Sequence, residues 1–231
     1  MNFDTFDVIT FDCYGTLIDW EAGIVAALRP ILARHDVIVG NEEILALFGE
    51  IESSLESEEY RPYRNILDGV VDGFGKYFSF EPSKSDCKSL AESIRRWPPF
   101  TDTVESLRTL KNHYRLAVIS NIDDDLFADS AKKLGVEFDD VVTAQQVGSY
   151  KPSLKNFFAA FERLECGPER VLHVAQSIYH DICPAREIGL SCVWVDRRKN
   201  QRGSGATARA TSEPDFEVPD LKTLILLMGL G

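Results

Sequence analysis

Between residues 18 and 97 this chain carries no strand signal, yet strand signals stand on both sides of that gap. Before it, Phe6-Asp-Val-Ile-Thr-Phe11 is dominated by apolar, aromatic and β-branched residues, the pattern of a strand buried on both faces. After it, from Phe100 onward, strands alternate with helices. Arg115–Ser120, Phe138–Thr143, Arg170–Ala175 and Ser191–Asp196 read as strands, and Thr101–Asn112, Asp123–Leu134, Ser153–Leu164 and Tyr179–Ile188 as helices. Such alternation implies a parallel sheet with right-handed crossovers. The first strand belongs to the same sheet, so the helical stretch is inserted into the domain and does not follow it. The expected fold is α/β, with a core of residues 1–17 and 98–231 and an all-helical domain at 18–97.

Inside the insertion, Trp20–Arg34 places Ile24, Ala27, Leu28, Ile31 and Leu32 at helical spacing, with Pro30 expected to kink it. Glu42–Ser57, Tyr60–Phe78 and Ser83–Trp97 read as further helices, and Pro98-Pro99 stops the block. Near the other end, residues 197–213 are polar and rich in Gly, Ser and Thr, the composition of a surface loop. Phe216–Val218 can add an edge strand and Leu221–Leu227 a last helix.

The formal charge of −12 argues against a nucleic-acid or anionic-membrane surface. It leaves a small anionic substrate open, because a local pocket can be basic on an acidic protein. No apolar run approaches the length of a membrane span. The N-terminus runs straight into the first strand, so no signal peptide is expected. Five cysteines, odd in number and without a CxxC pair, read as reduced thiols. The expected location is cytoplasmic and the expected state a monomer or homodimer. Cys13 stands beside Asp12, but strand alternation points it the other way.

The polar residues of interest fall at strand ends. Asp12 closes the first strand, and Gly15 and Thr16 follow in a loop that can approach a ligand closely. Ser120-Asn121 ends the second strand, Lys151 lies in the loop after the third, and Gln176-Ser177-Ile-Tyr-His180-Asp181 follows the fourth. Taken singly, Asp12 is a turn residue, Ser120 and Asn121 are helix caps and Lys151 is a surface lysine. At the carboxyl edges of successive parallel strands they converge on one crevice. A nucleophile, anion-binding donors, a cation and a second acid are the parts of a hydrolase with a covalent intermediate.

Asp12-x-Tyr14-Gly15-Thr16-Leu17 resembles the first motif of the haloacid dehalogenase superfamily, Val118-Ile-Ser120-Asn121 the second, Tyr150-Lys151-Pro152 the third, and Val174–Ile182 the fourth. The resemblance implies a Rossmann-like core with an inserted all-helical cap domain, Asp12 as nucleophile, and Lys151 as the cation that neutralises charge around it. It makes Ser120 and Asn121 donors to the substrate's anionic group. Phosphatases of the superfamily carry a second acid where this chain has Tyr14, and a metal-binding acid where it has Gln176. Tyr14 instead resembles the 2-haloacid dehalogenase branch, which attacks carbon. Within that branch, Phe11–Glu21, Val147–Pro152 and Tyr179–Asp181 are similar to azetidine-2-carboxylate hydrolases, which open a small ring at the carbon beside a carboxylate. The branch's cap arginine is absent near Phe48-Gly49-Glu50, and Arg61 and Arg64, later in the cap, are the candidates to replace it.

The expected enzyme is therefore a hydrolase in which Asp12 attacks the carbon beside a carboxylate. Lys151 and Asp181 serve the ester's hydrolysis, and Tyr14, Thr16, Ser120, Asn121, Gln176, Ser177 and Arg64 bind a small anionic carboxylate substrate. No cofactor is required on this reading, and magnesium enters only if the protein is a phosphatase of the same superfamily. A catalytically weak binding protein on this fold is the other alternative.

Overall fold

The computed structural model describes residues 2–199, 201, 203 and 205–231. Six strands, β1 (Val8–Phe11), β2 (Arg115–Ser120), β3 (Asp140–Thr143), β4 (Val171–Ala175), β5 (Ser191–Val195) and β6 (Phe216–Val218), form one sheet in the order β3-β2-β1-β4-β5-β6. Every neighbouring pair is parallel. Side chains alternate between the two faces, as the strand period demands. Ile9, Phe11, Leu116, Val118, Leu172 and Val174 enter the larger core, whereas Val8, Ala117, Ile119 and Val171 enter a second one on the opposite face.

The helices are α1 (Trp20–Arg34), α2 (Asn41–Glu56), α3 (Tyr63–Phe78), α4 (Lys84–Ser93), α5 (Thr103–Lys111), α6 (Asp124–Leu134), α7 (Ala144–Val147), α8 (Lys155–Leu164), α9 (Cys183–Glu187) and α10 (Leu221–Leu227). The expected α/β architecture is thus present, with α1–α4 lying between β1 and α5. Strand order steps outward from β1 in both directions, which opens a crevice beyond the carboxyl ends of β1 and β4. Phe11 is level with Val118 and Val174, so Asp12, Ser120-Asn121 and Gln176 emerge at one edge.

Several boundaries moved for local reasons. α1 continues through Pro30 without a break. α3 starts at Tyr63 because Pro62 holds the extended conformation before it. The segment read as Ser83–Trp97 is α4, opened by a capping box between Ser83 and Asp86 and followed by a 3-10 turn at Ile94–Arg96. α7 was not expected, being too short to show periodicity.

Two short stretches join the helical block to the sheet, and they run side by side. Phe100 N–H donates to Leu17 O (3.1 Å) and Asp19 N–H to Pro98 O (2.8 Å), with Ile18 and Pro99 in an antiparallel bridge. α1 packs against the Trp97 ring through Gly23, where a Cβ would fall 2.3 Å from Trp97 Cγ. Two charged side chains of the core also clasp the block. Asp123 occupies the N-cap position of α6, but its carboxylate accepts from the backbone N–H groups of Tyr63 (2.8 Å) and Arg64 (3.1 Å), capping α3 instead. Lys133 Nζ donates to the carbonyls of Arg95 (2.9 Å) and Trp97 (2.6 Å) at the other end of the block.

Candidate active site

Asp12 lies one residue beyond β1, almost fully buried. Its Oδ1 accepts from Lys151 Nζ (2.9 Å) and its Oδ2 from the Thr16 hydroxyl (2.7 Å). Thr16 in turn accepts from Gln176 N–H (2.9 Å), which ties the β1 loop to the β4 loop. Gly15, at φ +96°, makes the turn that brings Thr16 back over Asp12.

Lys151 is a buried ammonium held on three sides, by Asp12, by Asp181 Oδ1 (2.6 Å) and by Ile119 O (2.9 Å). Asn121 fixes its backbone, accepting from Lys151 N–H (2.7 Å) and donating to Lys151 O (3.1 Å). His173 stands inside β4, its Nε2 3.0 Å from Asp181 Oδ1 and its Nδ1 2.9 Å from Thr10 Oγ1 on β1. Burial penalises all three charges, but not equally. The two carboxylates outweigh it for Lys151, whose pKa is held above the ordinary lysine range. Lys151 and His173 outweigh it for Asp181, which is held below the usual carboxylate range. For Asp12 burial prevails over Lys151, assisted by the like charge of Asp181, and the pKa is raised.

The expected residues Asp12, Tyr14, Ser120, Asn121, Lys151, Gln176, Ser177 and Asp181 all line one cavity of about 40 Å³. Thr16 reaches Asp12 from the loop beside it. Tyr14 is turned so that its hydroxyl meets Ser130 Oγ (2.9 Å), and burial pushes its phenol well above the usual pKa. Gln176 Oε1 accepts from Thr207 (3.2 Å). The Ser177 hydroxyl accepts from His180 N–H (2.9 Å). Asn121 Nδ2 is directed to Lys151 O and to Glu56, so it is occupied where a substrate donor was expected. Ser120 Oγ and Asp181 Oδ2 are buried and have no hydrogen-bond partner among the described residues.

Arg64 is the exception. It does not line this cavity: its guanidinium makes two 2.7 Å bonds to Asp125 in an outer cleft, with Asp68 and Lys88 nearby. The reason lies at the start of α3, where Asp123 caps the helix and leaves the Arg64 side chain on the half-exposed outer face. What the helical block does bring to the cavity is Trp20, Glu52, Glu56 and Tyr63, none of which the sequence reading placed there. Glu52 and Glu56 continue the line of Leu45 and Phe48 along α2, so an acid on an apolar stripe was the available signal.

The sequence profile of the haloacid dehalogenase-like hydrolases matches residues 6–189. The chain belongs to this family. Among haloacid dehalogenase-like hydrolases, it is 32% identical over 195 residues to the glyceraldehyde 3-phosphate phosphatase of Methanothermobacter thermautotrophicus, covering 81% of this chain and 84% of that one. It is 24% identical over 206 residues to (S)-2-haloacid dehalogenase 4A of Burkholderia cepacia, covering 85% and 86%. The L-2-haloacid dehalogenase structure from Xanthobacter autotrophicus superposes with a TM-score of 0.79 at 21% identity, over 97% of this chain and 98% of that one. The family relation thus spans enzymes named for phosphate esters and for halo acids, and the choice between them falls to the residues of the site.

Glu52 gives this hydrolase a measurable pH signature. Burial lifts its carboxyl to about 8, against the opposing hydrogen bond from Tyr63. The folded state therefore holds a proton that the unfolded chain releases above its ordinary pKa of about 4.5. The stability that Glu52 contributes is complete below that value and is lost as pH rises through 8, by up to about 1.4 kcal/mol per pH unit. Urea melts between pH 5 and 8 are expected to show a flatter slope for Glu52→Gln than for the parent chain. Equal slopes would show that Glu52 is not the group retaining the proton.

Proposed function

We propose that this hydrolase displaces a leaving group from the saturated carbon beside a carboxylate, in a 2-haloacid or azetidine-2-carboxylate type of substrate. The observation that carries the reading is the setting of Asp12: an acid at the end of β1, held by one ammonium and one hydroxyl, in a cavity of about 40 Å³. An Asp12 oxygen attacks the carbon and the leaving group departs with the bonding pair, which forms an ester. Water then attacks the ester carbonyl, its proton passing to Asp181, whose Oδ2 is unengaged. The alcohol leaves and the Asp12 carboxylate is restored. Lys151 counters the negative charge at each stage. Ser120 is the hydroxyl available to the substrate carboxylate. The helical block serves as a cap, closing the crevice so that water is excluded during the first attack.

The phosphatase reading draws on the relative from M. thermautotrophicus and needs a metal site and a general acid. Magnesium takes an octahedron of oxygens, carboxylates usually among them. Here Asp12 and Asp181 both face the Lys151 ammonium, and the position of a third acid is Gln176, turned to Thr207. No group of three or more His, Cys, Asp or Glu with metal-binding geometry occurs among the described residues. Tyr14, with its pKa pushed up by burial, is a poor proton donor near neutrality. The donor set fits magnesium badly. Turnover of the carbon substrate is accordingly expected to be unchanged by EDTA, and para-nitrophenyl phosphate to be hydrolysed no faster with added Mg²⁺ than without. Robust Mg²⁺-dependent release of nitrophenol would replace this reading with the phosphatase one. Mass analysis of the Asp12 peptide after turnover in H₂¹⁸O supplies the positive test: label enters the Asp12 carboxylate if the ester forms.

A further inference from the structure

His173 is the one polar side chain of β4, wholly buried, and no step of the proposed reaction touches it. A histidine in such a place costs the desolvation of two ring nitrogens unless both are bonded. Here both are. In register, His173 lies between Thr10 of β1 and Cys192 of β5. Its Nδ1 meets the Thr10 hydroxyl at 2.9 Å, and its Nε2 meets Asp181 Oδ1 at 3.0 Å. The Phe157 ring of α8 stands edge-on to the imidazole, 5.3 Å between centroids and 75° between planes, and walls one side of it.

These contacts fix where the ring hydrogen sits. Nε2 faces a carboxylate oxygen, which can only accept, so Nε2 carries the hydrogen and donates. Nδ1 then accepts, and its donor is the Thr10 hydroxyl, which has no other partner among the described residues. Thr10 thus selects the tautomer that Asp181 needs. The consequence falls on Asp181. Its Oδ1 receives two donors, Nε2–H of His173 and Nζ of Lys151 at 2.6 Å. Its Oδ2 receives none, and Asp181 lines the same cavity as Asp12. Lys151 alone holds the carboxylate loosely in rotation, because its ammonium sits on a long flexible stem and is divided between Asp12, Asp181 and Ile119 O. The imidazole is rigid with the strand, and it supplies the second point of attachment.

We propose that His173, keyed by Thr10, is a positioning residue for ester hydrolysis: it pins Asp181 by Oδ1 and leaves Oδ2 to the water that attacks the Asp12 ester. The role rests on the ester proposed for Asp12. Water gives one proton to Oδ2 and hydroxide to the ester carbonyl. The intermediate collapses, the expelled alkoxide takes the proton of the new carboxyl group, and Asp181 returns its proton to solvent as product leaves. Attack of Asp12 on carbon needs no proton acceptor. Loss of His173 therefore falls on the second step.

Single-turnover reactions quenched in acid, with the mass of the intact chain followed over time, separate ester formation from ester hydrolysis. The parent chain, His173→Leu, His173→Gln and Thr10→Val are compared with (S)-2-chloropropionate and with L-azetidine-2-carboxylate. A positioned general base contributes about 10²–10⁴-fold, and part of that depends on its orientation. His173→Leu is accordingly expected to slow hydrolysis at least about tenfold more than formation, so that the Asp12 adduct accumulates. His173→Gln, whose amide nitrogen stands in for Nε2–H, is expected to restore part of the loss. Thr10→Val, nearly the same shape, is expected to fall between the parent chain and His173→Leu. A packing role would slow both steps alike. Equal slowing of the two steps, or a His173→Gln chain no better than His173→Leu, would overturn the proposal. The tautomer is read without any turnover, from the ¹⁵N shifts of the imidazole signal that disappears in His173→Gln. Hydrogen on Nε2 is expected, and a bare Nε2 would overturn the proposal even if a variant failed to fold. If ¹⁸O enters Asp12 of the parent chain and His173→Leu accumulates no ester, carbon attack stands and the positioning role falls. If no ¹⁸O enters Asp12 of the parent chain, carbon attack falls and takes the step assigned to His173 with it.

Discussion

Asp12→Asn is expected to lower kcat by about four to six powers of ten while the protein stays folded. The substitution keeps the shape and the hydrogen bond to Thr16 but removes the charge that attacks. Losses of this order follow removal of a covalent nucleophile in other hydrolases, since the remaining groups act only through it. Single-turnover assays with the preferred substrate, together with mass analysis of the Asp12 peptide, measure it. Retention of more than about a hundredth of parent turnover would place the nucleophile elsewhere. The fold should tolerate the change, because Asp181 still balances Lys151.

Lys151→Met should be damaging in two ways at once. For activity, the ester-forming and ester-cleaving steps both lose the cation beside Asp12, and a drop of several powers of ten in kcat is expected. For stability, Asp12 and Asp181 are left buried with no ammonium between them. Breaking a buried ion pair by removing one partner costs about 3–5 kcal/mol. The two stranded acids can relieve that penalty by taking up protons, so the deficit must shrink as pH falls. Urea melts at pH 7.5 and pH 5 test the sign: the gap to the parent chain should narrow at the lower pH. An equal gap at both would mean that the loss comes from packing alone. Adding Asp12→Asn to Lys151→Met should recover stability, a non-additivity expected of residues in one network.

The sheet was legible in the sequence because each strand is an apolar run that stops at a polar residue, and the register Phe11–Val118–Val174 then brings those stops together. The same habit of reading strand ends concealed His173, which lies within β4 and meets Asp181 from the interior. Helix positions followed from apolar spacing, whereas their first residues depended on Pro62 and on the Ser83 capping box. Arg64 was misplaced for a reason that local sequence cannot hold: the side chain that sets its direction, Asp123, is 59 residues away in the chain. Glu52 and Glu56 were visible as acids in an apolar stripe, but which face of α2 would meet Asp12 was a property of packing between distant segments.

The clasp made by Asp123 and Lys133 has a consequence for affinity. On the proposed reading, the substrate outgrows a cavity of about 40 Å³, which has room for roughly one water molecule, and it would enter a conformation in which the helices stand clear. The apparent dissociation constant is then the intrinsic one divided by the fraction of molecules open at any moment. Both clasps join a charged side chain to the polar ends of a helical segment, groups that water solvates readily once they separate. They therefore act as a toll on binding that is set far from the chemistry. Evolution can retune KM at Asp123 or Lys133 while Asp12, Lys151 and Asp181 stay as they are.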